Sequence, residues 1–336
     1  MRSATEQAAW LDSHREDIID PDREITDPHH HLWADRVASR YELAELWADT
    51  GAGHNVTKTV FIECGSAYTR GTPDPFAPVA ETRYVAGIAA QAAQTRGKAQ
   101  IAGIVAHADL RLPLEVLDRV LDAHEAAGQG LFRGIRHAGA WDRERDQFLF
   151  AGQDIPHLYL NPEFQRGVAR LGERGLTYDT WHFHPQNGEF LTLARACPGT
   201  TLILDHFGTP LGVARFAGQR DTYFSSWQDE MAAISECPNV VAKLGGMAMP
   251  TNGFGWEMRD HPPSSDEFVA AQGKWYSHMI ACFGASRAMF ESNFPVDRLS
   301  ISYPVLWNGL KKIADGLPEV DQAALFSGTA NRMYRL

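Results

Sequence analysis

Nowhere in the 336 residues does an apolar run approach the ~20 residues of a membrane-spanning helix, so no membrane partner is expected. The opening stretch, MRSATEQAAWLDSHRED, lacks the apolar core of a secretory leader. Cysteine is scarce: Cys64, Cys197, Cys237 and Cys282 are scattered without a C-x-x-C pair, as expected for reduced packing thiols in a cytoplasmic protein. Positive charge is short as well. Lys and Arg number 31 against 42 Asp and Glu, a formal charge of −11 that argues against a nucleic-acid partner. No Gly-rich nucleotide loop follows the first apolar segment, which counts against an open dinucleotide-binding sheet. Low-complexity linkers and close repeats are absent too. The chain therefore reads as a short N-terminal extension, residues 1–22, and one large unit, residues 23–336.

What is present is a rhythm. Eight short segments end in polar, reactive residues: Glu24–His31, Thr59–Cys64, Ile101–Asp109, Leu131–His137, Leu176–His184, Thr201–His206, Val240–Gly245 and Ala288–Asn293. Their length and apolar content suit buried parallel strands. Helical patterns lie between them at Pro113–Gly128, Pro162–Gly175, Tyr223–Cys237, Asp266–Phe283 and Val320–Tyr334, two of them opening on Pro and followed by Gly. Eight strand–helix units imply an α/β fold, a single (β/α)8 TIM barrel, whose ~250-residue requirement the chain meets.

In such barrels the chemistry sits at the C-terminal strand ends. Side chains two apart share a face, so Ile25, Asp27, His29 and His31 should point into the mouth while His30 points out. By the same count Tyr178, Thr180, His182 and His184 share a face, as do Leu202, Leu204 and His206, and Met289, Glu291 and Asn293. Paired histidines either bind one metal ion or donate to a substrate carbonyl or carboxylate. His206, ending the apolar run Leu202–Leu204 where packing does not demand it, is the first catalytic candidate. Glu63 either orients a histidine or caps a helix; Arg133 and Arg136 either clamp a substrate carboxylate or pair with neighbouring acids. Lys243 faces the interior, where it either pairs with a buried acid or touches substrate. His107 and His137 are read as structural, or as outlying parts of the site. His14, His54, His124 and His261 are expected in solvent. Trp33, Tyr68, Trp141, Trp181 and the stretch 247–256 form an apolar lid over the pocket, or else make oligomer contacts or plain packing.

The stretch Asp27-Pro28-His29-His30-His31-Leu32-Trp33 resembles the opening of the amidohydrolase superfamily, in the amidohydrolase-related branch of the sugar lactonases and 2-pyrone-4,6-dicarboxylate lactonase. The resemblance runs through Phe132–Arg136, His184-Pro185-Gln186, Leu204–Gly208, Lys243–Gly246, Phe290–Pro295 and the closing Gly328–Tyr334. It implies a hydrolase, cytoplasmic and catabolic, that opens a lactone or related ester of a small, aromatic or carboxylated metabolite. His29, His31 and His184 would surround the carbonyl, His206 would move the proton, and Arg133 and Arg136 would hold a carboxylate, with Glu63 and His182 also lining the substrate. One departure stands out. Where relatives end the eighth strand in aspartate this chain has Asn293, whose amide cannot take a proton from water. Glu291 or His206 is then the general base, Asn293 positions water or substrate, and Asp297 is a fallback.

That departure weakens the case for a tightly held metal, so no required cofactor is the first expectation. The alternative is one Zn2+ or other divalent ion at the His29/His31 pair, with His184 as third ligand. A binuclear site is not expected, since no lysine ends the fourth strand. The resemblance also admits a metal-dependent decarboxylase of an aromatic or enol acid, and a third reading is a degenerate barrel that only binds ligand. A small-molecule substrate is the expected partner; a homo-oligomer is left open.

Overall fold

The computed structural model describes residues 2–36, 39–71, 73–153 and 155–336. Eight parallel strands follow one another in sheet order: β1 (Glu24–His30), β2 (Asn55–Ile62), β3 (Gln100–Ala106), β4 (Phe132–Arg136), β5 (Thr177–Thr180), β6 (Leu202–Leu204), β7 (Val240–Leu244) and β8 (Ala288–Phe290). The eight segments read from the sequence are these eight strands. β1 and β8 meet beyond the end of β8, where His31 N–H donates to the Phe294 carbonyl at 2.8 Å and Asn293 N–H to that of His29 at 3.1 Å. Closure thus falls at the end where the reactive residues lie.

Helices fill the crossovers and the flanks: α1 (Ala4–Asp12), α2 (Leu43–Thr50), α3 (Val79–Ala92), α4 (Leu114–Gly128), α5 (Pro162–Glu173), α6 (Asn187–Ala196), α7 (Arg220–Ser235), α8 (Ser265–Phe283), α9 (Tyr303–Ala314), α10 (Glu319–Ala323) and α11 (Thr329–Tyr334). In α4, Leu117, Val120, Leu121 and His124 form the buried stripe of an amphipathic helix. The expected closing helix 320–334 is instead α10, a π turn over Ala324–Gly328, and α11. Among the described residues no helix is long and apolar enough to cross a membrane.

The apolar side chains divide by strand face. Phe61, Ile104, Leu202, Leu204, Val240, Leu244 and Phe290 join the main core with the helices. Val60, Ile62, Val105, Ile203, Val241 and Met289 form a separate cluster with Ala330 and Tyr334 of α11. Residues 1–22 are tied to the barrel: Trp10 Nε1 donates to the Arg259 carbonyl at 3.0 Å, and Glu16 accepts from Ser265 and Asn308. Cys64, Cys197 and Cys237 are buried and Cys282 half-buried. His54 and His124, expected in solvent, are buried instead. His124 sits between Thr82 Oγ1 (2.8 Å) and the His107 carbonyl (3.0 Å), and His54 between Lys311 Nζ (2.8 Å) and the Pro304 carbonyl (3.0 Å).

Candidate active site

A cavity of about 830 Å³ opens at the C-terminal strand ends, lined on its polar side by His31, Glu63, His107, Arg136, His206 and Asn293. Trp33, Tyr68, Trp181, Phe150 and Met249 supply apolar wall, so most of the expected lid aromatics are present and Trp141 is not. Arg70 and Arg111 also border it.

His29 and Glu291 lie just beneath this floor, both with no exposed surface. A register irregularity in β1 between Asp27 and His30 breaks the simple alternation. Asp27, expected to point into the mouth, instead takes the Tyr303 hydroxyl at 3.0 Å and the Ser292 N–H at 2.9 Å. His29 and His31 stay together, Nε2 to Nε2 at 3.3 Å, and His30 turns away to Thr59 Oγ1 at 3.1 Å.

Glu291 connects two histidines: Oε1 is 2.6 Å from His206 Nδ1 and Oε2 is 2.9 Å from His29 Nδ1. Gly245 and Gly246, directly after β7, make room for this. A Cβ on Gly246 would lie 2.2 Å from His206 Nδ1, and one on Gly245 2.4 Å from Glu291 Cγ. His206 reaches the cavity by a route that strand alternation does not supply. Ile203 and not Leu204 faces the inner cluster, so alternation puts Asp205 inward and His206 out. His206 and Phe207 adopt φ of 55° and 61°, and this left-handed turn swings the imidazole back.

Beneath them sits a charge network. Lys243 Nζ is 2.8 Å from Asp179 Oδ2, 3.3 Å from Asp205 Oδ1 and 3.3 Å from His29 Nδ1. Burial opposes the ammonium, yet Asp179, Asp205 and Glu291 outweigh it and hold its pKa above the ordinary value. Burial pushes the Glu291 carboxyl up to about 8 and Asp205 up to about 7. Burial likewise drives His206 down to about 3 and holds His29 and His31 well below the usual imidazole range, which favours the neutral rings. Arg136 Nε donates to Glu63 Oε1 at 3.0 Å, and its Nη1 lies 3.4 Å from His29 Nε2.

Several expected site residues lie elsewhere. Alternation on β5 is one residue out of step with the expectation: Asp179 faces Lys243, so Tyr178, Thr180 and His182 face the helices. His182 Nε2 donates to Asn187 Oδ1 at 3.0 Å and the ring stacks on Phe190. His184 stacks on Tyr223 at 4.2 Å and takes the Leu211 N–H, away from the cavity. Arg133 is at the start of β4, donating to the Gly130 and Phe132 carbonyls. Asn293 lines the cavity with its amide on Asp297 Oδ1 at 2.8 Å, while Asp297 is buried behind it and also takes the Ala248 N–H. Asp179, Asp205 and Tyr334 belong to the network though the sequence did not single them out.

The donor set accommodates a divalent ion. Two ligands on one tetrahedral zinc stand about 3.4 Å apart given Zn–N bonds of roughly 2.1 Å, and the His29 and His31 Nε2 atoms are 3.3 Å apart. Their Nδ1 atoms face outer partners, the Ile62 carbonyl at 2.8 Å and Glu291 Oε2 at 2.9 Å. His29, His206 and Glu291 also bring ligand atoms within 4.8 Å of one another. At 2.6 Å, however, His206 Nδ1 and Glu291 Oε1 are bonded to each other, closer than two ligands of one ion. His184 is not available as a third ligand.

A family model described as Amidohydrolase matches residues 26–336. The uncharacterised protein y4mH of Sinorhizobium fredii is 31% identical over 333 residues, covering 93% of this chain and 98% of that protein. An L-fucono-1,5-lactonase of Burkholderia multivorans is 28% identical over 324 residues, covering 92% and 95% respectively. A solved amidohydrolase from Burkholderia multivorans with bound zinc superposes with a TM-score of 0.72 at 24% identity, covering 93% of this chain and 99% of that one. The closed eight-stranded barrel, the His29/His31 pair ending its first strand and these matches have one reading: the chain belongs to the amidohydrolase family.

Proposed function

We propose that the protein opens a lactone, or a related carboxylic ester of a small metabolite, by adding water. The observation that carries this is the pair of His206 and Glu291, 2.6 Å apart at the cavity floor. Once Glu291 is ionised, which its value of about 8 places on the alkaline side of neutrality, its carboxylate takes the Nδ1–H hydrogen bond and leaves the Nε2 of a neutral His206 as a base toward the cavity. It takes a proton from water as the oxygen attacks the carbonyl carbon; Glu291 stabilises the resulting imidazolium. When the ring C–O bond breaks, the same proton passes to the leaving oxygen, giving a hydroxy acid. Arg136, anchored by Glu63, holds its guanidinium at the cavity floor, where it can neutralise the developing oxyanion or a substrate carboxylate. Asn293 positions water or substrate but cannot accept its proton.

A divalent ion, if bound, would be held by His29 and His31 and would polarise the carbonyl oxygen. The zinc in the Burkholderia multivorans amidohydrolase supports testing for it, and the lactonase of the same organism supports the reaction class. The apolar wall of Trp33, Tyr68 and Trp181 together with Arg136 favours a ring substrate with one apolar face and a carboxylate over a fully hydroxylated sugar. Proton release on a panel of sugar, pyrone and aromatic lactones tests this. Turnover of at least one lactone is expected; carbon dioxide release from aromatic acids without lactone hydrolysis, or binding without turnover, would overturn it.

A further inference from the structure

The closing segment Gly328–Tyr334 lines no part of the cavity, yet it reaches the catalytic floor from the opposite side. α11 docks across the barrel through Asn331, which accepts from Lys58 Nζ at 3.0 Å and donates to Ser327 Oγ at 2.8 Å. Tyr334 is fully buried among Val60, Ile203, Val241 and Met289. Its hydroxyl donates to Asp179 Oδ2, the same oxygen that takes Lys243 Nζ at 2.8 Å. Lys243 Nζ also lies 5.4 Å from the Tyr334 ring centroid. From there the ammonium is 3.3 Å from His29 Nδ1. One chain of contacts therefore joins the C-terminal helix to the first-strand histidine.

The physics of that chain turns on how an ammonium divides itself among acids. Lys243 has Asp179 and Asp205 in contact and feels Glu291 as well. Which of them it rests against sets its distance from His29. A neutral hydroxyl on Asp179 supplies a donor without a second positive charge, so the carboxylate is held without competing for the ammonium. Without that hydroxyl, Asp179 keeps, among the described residues, Lys243 and, on its other oxygen, Thr177 Oγ1 at 3.2 Å. The ammonium is then drawn toward Asp179 and off His29.

We propose that Tyr334 is a positioning residue: acting through Asp179, it fixes the Lys243 ammonium against His29, so the C-terminal helix sets the geometry of the catalytic histidines. The kinetic part of this inference rests on the lactonase reading above. Tyr334→Phe keeps the ring and removes the donor. Its crystal structure should show the fold unchanged and Lys243 Nζ displaced from His29. Turnover should fall about tenfold in kcat with KM little changed. Asp179→Asn, which removes the carboxylate that Tyr334 acts on, should displace Lys243 toward Asp205 instead, and the double variant should behave as Asp179→Asn alone. Glu16→Gln, which loosens the N-terminal extension on Ser265 and Asn308 far from Lys243, should lower Tm and leave kcat per folded protein unchanged. A Tyr334→Phe structure with Lys243 and His29 in their original places, or a kcat loss that only tracks Tm, would overturn the proposal. Should the wild-type protein hydrolyse no lactone, the functional reading fails while the Tyr334→Phe structure still decides this one.

Discussion

His206 Nδ1 and Glu291 Oε1 stand 2.6 Å apart, buried, beyond the ends of β6 and β8, and Gly245 and Gly246 after the intervening β7 leave no room for another side chain. Removing either partner should cost catalysis far more than stability. Glu291→Gln and His206→Asn are each expected to lower kcat by roughly 10²- to 10⁴-fold, the usual range for a general acid–base group. Steady-state kinetics with a thermal melt checks this; full turnover in Glu291→Gln would remove the carboxylate from the mechanism.

Gly246→Ala should mimic that loss without touching a reactive atom. Its new Cβ would lie 2.2 Å from His206 Nδ1, and its φ of +73° adds strain. The imidazole must move, so kcat should fall at least tenfold by the logic of misplacement. A variant with wild-type kcat would mean the ring has freedom that the close contact denies it.

His184→Phe should leave kcat within about twofold, because the ring stacks on Tyr223 and binds the Leu211 N–H instead of facing the cavity. A loss of several orders of magnitude would return His184 to the site.

The fold and half the site were legible in the sequence, and the reasons for the other half are local. His29, His31, Glu63, Arg136, His206, Glu291 and Asn293 gather at the cavity because strand ends in a barrel converge whatever their exact register. His182 and His184 were misplaced since β5 has only four residues, all of them buried, and the neighbouring run Leu202–Leu204 does not alternate. Without alternation a face cannot be assigned, and one residue of slip reverses it. His206 entered the site despite that slip, through a left-handed turn that no pattern in the chain announces. Arg133 was placed with Arg136 by proximity in sequence, although three residues along a strand span ~10 Å. Tyr334 stayed hidden because its partner Asp179 is more than 150 positions away.

Arg136 and Glu63 should be probed together. Removing Arg136 alone strands a buried carboxylate, a cost of about 3 to 5 kcal/mol. The double variant Arg136→Gln/Glu63→Gln removes both charges, so it should fold and raise KM for carboxylated lactones more than for uncharged ones. Equal effects on both classes would show that Arg136 does not read substrate charge.

Acid stability offers a test outside the site. Burial opposes the Glu16 carboxylate, but hydrogen bonds from Ser265 and Asn308 bring its pKa to about 2, below the ordinary 4.5. A depressed folded pKa contributes stability that is full above 4.5 and lost as pH falls toward 2. Glu16→Gln should therefore be less stable than wild type by about 1 to 2 kcal/mol at pH 7, after allowing for partial solvent screening. The gap should narrow steadily between pH 5 and 3 in denaturant melts; a constant gap would contradict the assignment.

The most direct test of lactone hydrolysis is to run turnover in H2 18O and weigh the product. One labelled oxygen is expected in the new carboxylate, with no carbon dioxide, and the labelled product should be lost in Glu291→Gln. Carbon dioxide release with no label incorporated would contradict it.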